Sequence, residues 1–217
     1  MRKNKIFIIC LMLLSLVITC VAMAFLPDTI PTHLGVNGKP DQFGSKYFIF
    51  MFPVINILVG LSMLLVCKYA KVSENYRKYT LTTGVLIQLI FLCMNVVFIL
   101  YAINYADGSL GFDVSKIIMV VFGILFILMG NYMPKIEKNR TLGFKIKWSL
   151  YNEVTWQKTH RFVGFGGIIT GILCIISGLI FKEMVNFIIL MSLIFILMVS
   201  TSVASYKYYK EEKAKEE

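Results

Sequence analysis

The chain has 217 residues, of which 58% are hydrophobic and only 16% charged, and a formal net charge of +10. A soluble domain of this size carries about a quarter charged residues, so the composition excludes a mainly soluble protein. It also makes direct nucleic-acid binding a poor explanation of the positive balance, because the charges sit in short stretches between long apolar runs.

Six such runs cover residues 6–26, 47–67, 80–103, 114–133, 162–181 and 187–206. Each is close to the ~20 residues that cross a ~30 Å hydrocarbon layer as a helix. The expected fold is an all-α membrane protein, a six-transmembrane-helix bundle. Three units are expected along the chain: residues 1–67 with an ordered loop at 27–46, residues 68–133, and residues 134–217 with a long loop at 134–161. If the N-terminus is cytoplasmic, eighteen Lys and Arg lie on inside segments. Only Lys39, Lys46, Lys116 and Lys182 lie outside, completing the 22 basic residues. This positive-inside bias predicts that both termini are cytoplasmic, with anionic inner-leaflet lipid as a secondary partner.

The first run follows Arg2, Lys3 and Lys5 and ends beyond Ala22-Met23-Ala24, the outline of a secretory signal. At 6–26 it exceeds the ~7–15-residue core of such signals, so a retained span is expected. The loop after it holds Pro27, Asp28, Ile30, Pro31, His33, Asn37, Gly38 and Asp41. Its prolines oppose helix and Asn37-Gly38 is a tight-turn dipeptide. An ordered lip, hairpin-like, is expected there. One histidine with two scattered carboxylates falls short of zinc-site spacing. His33 is read first as a hydrogen-bonded loop residue and second as a sensor of external acid.

Within the spans, Asn56, Ser62, Gln88, Asn95, Ser177 and Ser192 are polar, and no Asp, Glu, Lys or Arg lies near a centre. Interhelical hydrogen bonding is the first explanation and a substrate path the second. Gly123, Gly130, Gly167, Gly171 and Gly178 are expected to allow close helix approach, with small-xxx-small spacing at Gly167 and Gly171. The connection 182–186 is short enough to make the last two spans antiparallel neighbours. The five cysteines, Cys10, Cys20, Cys67, Cys93 and Cys174, have no metal-site spacing and are expected to be small buried hydrophobes. The tail from Lys207 is expected to fray.

The loop 134–161 is the richest in chemistry. Phe144, Ile146, Trp148 and Leu150 alternate with Lys145, Lys147 and Ser149, the period of an extended edge with one apolar side. Asn152 is a helix cap with Glu153 in the first turn, and that helix is expected to run on into the fifth span. Trp156 and His160 then share a face at i, i+4 spacing. Trp148 and Trp156 have the composition of an interfacial belt, but Asn139, Glu153, Thr159 and His160 exceed what anchoring needs. No hydrolase motif or phosphate loop is present, and His33 and His160 are expected at opposite membrane faces. A lipid or cell-wall enzyme using Glu153 and His160 would need them two turns, about 10.5 Å, apart on one helix, too far for direct hydrogen bonding. No enzyme is expected, and no cofactor or metal.

The segment Leu26-Pro27-Asp28-x-Ile30-Pro31 resembles a small N-terminal domain of unknown function found in the SdpI family of bacterial immunity proteins. The more specific likeness is Gly130-Asn131-Tyr132-Met133 followed by Asn139, Gly143, Trp148, Leu150, Glu153, Trp156, Lys158 and Arg161, and then Ser200-Thr201 and 204–210. Together they resemble that family over nearly the whole chain. One departure is Gly143-Phe144-Lys145-Ile146-Lys147-Trp148, where the family commonly has Gly-Ile-Arg-Thr-Pro-Trp, so a planar guanidinium contact is lost.

The resemblance implies a multi-pass protein of the bacterial cell membrane that protects its producer from a secreted, membrane-active peptide toxin. It also implies signal transduction, in which a cytoplasmic autorepressor protein is held at the membrane. On that basis Pro27, Asp28, Ile30, Pro31 and His33 are expected to face the toxin outside. Asn139, Arg140, Gly143, Lys145, Trp148, Glu153, Trp156 and Arg161 are expected to face the partner inside. The competing expectation is a transporter or flippase-like export channel for a toxin or lipid.

Overall fold

A computed structural model of the chain describes residues 2–35, 40–69, 74–106, 113–139 and 143–216. Arg140 and the Asn37-Gly38 turn lie outside the described residues. Among the described residues six helices are long and apolar enough to cross a membrane, and the chain is an all-α multi-pass membrane protein. They are α1 (Arg2–Ala22), α2 (Met51–Tyr69), α3 (Glu74–Ala106), α4 (Val114–Tyr132), α5 (Glu153–Ile180) and α6 (Glu183–Lys213). Their outward surfaces carry large bare side chains, among them Phe7, Leu58, Phe165, Leu179 and Phe195. Such a continuous apolar exterior has its natural solvent in lipid.

The helices form two halves of three. In the first, α1, α2 and α3 pack on one another; in the second, α5 packs on both α4 and α6. Contacts between α3 and α4 join the halves. Two polar side chains of the first half bridge its helices. Asn95 Nδ2 donates to the Ser15 carbonyl at 3.2 Å and to Thr19 Oγ1 at 2.9 Å, and Gln88 Nε2 donates to the Asn56 carbonyl at 2.8 Å. Ser62 departs from that pattern, since its hydroxyl returns to Val59 O in its own helix.

In the second half, α4 and α5 meet backbone to backbone. A Cβ added at Gly130 would stand 2.5 Å from Gly164 O, and one at Gly123 would stand 2.6 Å from Gly171 O. The connection from α5 to α6 is only Phe181 and Lys182, so these helices run antiparallel as neighbours. Not every cysteine is interior. All five are free thiols, but Cys10, Cys20 and Cys93 lie on exposed helix surfaces and only Cys67 and Cys174 are buried. The outward three are sequence-apolar positions facing the surround rather than the core.

At one end, β1 (Thr29–Leu34) and β2 (Pro40–Ser45) pair antiparallel as the lip expected from the sequence. Its base is closed twice by one pair of residues: Lys46 N–H donates to Asp28 O at 2.9 Å, and Lys46 Nζ sits 2.9 Å from Asp28 Oδ1. The hairpin is seated on the bundle through Ile30, which joins Ala22, Leu26, Ile49, Ile99 and Ala102 in one apolar cluster. At the other end lie the start of α1, the loop between α4 and α5, and the end of α6.

Candidate functional site

The residues singled out from the sequence gather at these two ends. At the hairpin end their exposures divide them. Ile30 is fully buried and Pro31 is buried, so both hold the lip in place and present nothing outward. Ile30 packs into the apolar cluster to which α1 and α3 contribute Ala22, Ile99 and Ala102. Pro27 is half-buried and Asp28 is committed to Lys46. His33 is exposed, with Nδ1 2.6 Å from Asp41 Oδ1.

Beneath His33 and Asp41 the sequence reasoning missed a polar junction. Asp113 caps α4 by accepting from Ser115 N–H at 2.9 Å and from its hydroxyl at 2.6 Å. Ser115 Oγ in turn accepts Glu183 N–H at 2.8 Å and Asn186 Nδ2 at 3.2 Å. Asn186 is buried and takes a bond from Ser177 Oγ at 2.7 Å. One asparagine thus ties α4, α5 and the start of α6 together. Glu183 has φ of 43°, a left-handed conformation that non-glycine residues adopt rarely, and the bond to Ser115 holds it there. Asp-x-Ser before the fourth span is a legible cap. Its continuation to Asn186, 71 residues on, has no local signature.

At the opposite end the loop 134–152 is knotted around α5. Asn152 and Thr155 form a reciprocal cap: Thr155 N–H donates to Asn152 Oδ1 at 2.8 Å, and Asn152 N–H donates to Thr155 Oγ1 at 3.1 Å. Trp156 is completely buried, its indole N–H donating to Ile136 O at 2.7 Å. Its ring stacks on His160 with centroids 3.9 Å apart. Trp156 is therefore neither a belt residue nor a contact surface, because a buried indole needs a fixed acceptor and the loop supplies one.

His160 is buried between two backbone groups. Nδ1 lies 2.9 Å from Trp156 O, and Nε2 accepts Phe144 N–H at 3.1 Å. A carbonyl on one side and an N–H on the other fix a neutral ring with the proton on Nδ1. Both nitrogens are occupied, and among the described residues no carboxylate is hydrogen-bonded to the ring, so the acid–base pairing with Glu153 has no geometric basis. Gly143 sits against this ring with φ of 103°, and a Cβ there would collide with His160 Nε2.

The alternating stretch 144–150 is not an extended edge. Residues 147–150 form a turn, with Ser149 Oγ accepting Ile146 N–H at 3.1 Å and lying 2.9 Å from Phe144 O. A buried serine that bonds nearby backbone competes with strand, which overrides the period-two pattern. Trp148 leaves this turn to pack on Tyr206, with centroids at 4.9 Å, and Tyr151 meets Tyr209 edge-on at the same distance.

The tail does not fray where expected. Helix α6 continues to Lys213 because Lys158 Nζ reaches Glu212 Oε1 at 3.0 Å and Glu211 Oε2 at 3.6 Å. Of the remaining expected contact residues, Lys145, Glu153 and Arg161 are exposed, and Asn139 Nδ2 donates to Glu137 O at 2.7 Å.

Comparison with known proteins follows the same division into two ends. The model described as the SdpI/YfhL protein family matches residues 135–205, which hold the knotted loop, α5 and most of α6. A domain of unknown function, DUF1648, matches residues 10–57, from within α1 through the hairpin to the start of α2. The chain is 28% identical over 214 residues to a Bacillus subtilis (strain 168) protein named immunity protein SdpI, covering 97% of this chain and 98% of that one. It is also 37% identical over 43 residues to an uncharacterized Archaeoglobus fulgidus protein, covering 20% of this chain and 24% of that one. No solved structure matches.

Proposed function

We propose that this chain, a member of the SdpI family, is a membrane immunity protein that protects its producer against a secreted, membrane-active peptide toxin without catalysis. The observation that carries this is the end-to-end likeness to the B. subtilis immunity protein, which includes both the hairpin and the knotted loop. In this account the hairpin end faces outside, as the basic residues at the other end require, and the termini are cytoplasmic. His33 and Asp41 then stand toward the toxin, with Asp28, Ile30 and Pro31 fixing the lip that presents them.

The cytoplasmic end has a second proposed role. Lys145, Lys147, Glu153 and Arg161 are exposed and Trp148 is half-buried at this same end, a mixed-charge and aromatic composition that fits a docked autorepressor protein. Gly143 and Trp156 act beneath that surface by shaping the loop. Coupling between the ends needs two states of the bundle that toxin binding biases. An export channel gains no support from Asn95 and Gln88, whose amide nitrogens are spent on interhelical bonds.

Survival tests the proposal. A toxin-sensitive bacterium expressing the chain is challenged with purified membrane-active peptide toxins from related producers. Survival against at least one, with no transport of the toxin across liposomes bearing the protein, is expected. Unchanged killing across the panel would contradict it.

A further inference from the structure

The hairpin reaches beyond its own half of the molecule. His33 and Asp41 overhang the starts of α4 and α6, and a cavity of about 460 Å³ lies between them. That is within the size range of small-ligand sites. Its inner wall is apolar, with Ile118, Phe187 and Leu190. Its rim carries the carboxylates of Asp41 and Glu183. Neither Lys nor Arg is present among the described residues that line it.

The two acidic residues are positioned in different ways. Asp41 is fixed by His33 at 2.6 Å. Glu183 is fixed through its backbone, in the left-handed conformation that the Ser115 bond maintains. Strain of this kind persists where the surroundings over-determine it and clusters at binding sites. The lining also joins the two segments matched separately in the comparisons, the hairpin and α6.

We propose that this cavity is a receptor site for a peptide segment that carries one or two bulky apolar side chains beside a positive charge. The apolar wall takes the side chains, and Asp41 and Glu183 take the cation by charge-assisted hydrogen bonds. An anionic phospholipid is the poorer occupant, because its net negative headgroup would meet these two carboxylates. The proposal rests on the outward placement of the hairpin end and gives the immunity function its point of toxin contact.

The test uses the full chain in phosphatidylcholine nanodiscs, with empty nanodiscs as the blank. Two fluorescein-labelled tetrapeptides are titrated, one of leucine, two phenylalanines and lysine, the other with glutamate in place of lysine. The cationic peptide is expected to bind at least about tenfold more tightly. The preference is expected to vanish in D41N/E183Q, and binding to vanish in I118W, which fills the cavity. D41N/E183Q is isosteric and away from the apolar core, so it keeps the test open if I118W fails to fold. Equal binding of the two peptides, or wild-type preference in D41N/E183Q, overturns the site. Challenge of cells separates the two claims. If wild type and D41N/E183Q protect equally, the site falls and immunity stands. If the cationic peptide binds selectively but wild type gives no survival, immunity falls and the site stands.

Discussion

The side chains at the knotted end act mainly on one another. Trp156 needs the Ile136 carbonyl, His160 needs the Phe144 N–H, and Gly143 leaves the room that lets Phe144 approach. The first two contacts each satisfy a buried polar group that would otherwise cost about 1–3 kcal/mol. Gly143→Ala is expected to destabilise by about 2 kcal/mol, from the left-handed backbone and the displaced imidazole. Thermal unfolding in detergent measures it, and the cost should shrink in a His160→Ala background, since the two changes share one contact. Equal cost in both backgrounds would show that Gly143 matters for backbone conformation alone. The i, i+4 spacing made the Trp156–His160 pairing legible in the sequence. Their burial was not, because the lid over them comes from Ile136 and Phe144, which carry no signature of that role.

At the scale of elements, α4 and α5 are joined by glycines rather than by interlocking side chains. The five glycines noted in the sequence do sit at this crossing, which small-xxx-small spacing made readable. The neighbouring Gly166 does not. Its added Cβ would meet only Leu197 Cδ1, the free end of a flexible side chain, whereas at Gly171 it would meet Gly123 O and Ile127 N. Alanine raises helix propensity at either site. Gly166→Ala is therefore expected to be neutral or mildly stabilising, and Gly171→Ala to destabilise by about 2 kcal/mol, because backbone cannot move aside. Chemical unfolding of the two variants side by side gives the comparison, and similar effects would contradict the crossing described.

The hairpin teaches a related point about what sequence reveals. Two prolines and a turn dipeptide announced an ordered lip, yet Ile30 looked like an outward contact residue. Only the seating of β1 on α1 and α3 turns it inward. The alternation at 144–150 failed for the opposite reason: a local serine bond outweighed a pattern that has no partner strand.

For the whole molecule, the decisive feature is that the second half, α4 to α6, is sewn together at both ends by long-range polar contacts. Asn186 does this under the hairpin and Lys158 does it for the C-terminal helix. Neither was legible, since each pairs residues more than fifty positions apart. Glu212→Gln would remove the ion pairs with Lys158 and Lys215 without adding a trypsin site. Limited trypsin cleavage in the last turn of α6 is expected to quicken about threefold or more as local opening becomes easier. An unchanged rate would mean that the aromatic contacts of Tyr206 and Tyr209 suffice to hold the tail.

The central claim is that the hairpin meets the outside and the tryptophan-bearing loop meets the cytoplasm. In a cysteine-free background, single cysteines at Gln42 and at Lys147, both exposed, are treated with a membrane-impermeant maleimide on intact cells. The account predicts that Gln42→Cys is labelled at once and Lys147→Cys only after permeabilisation. Labelling of Lys147→Cys in intact cells, with Gln42→Cys protected, would contradict it.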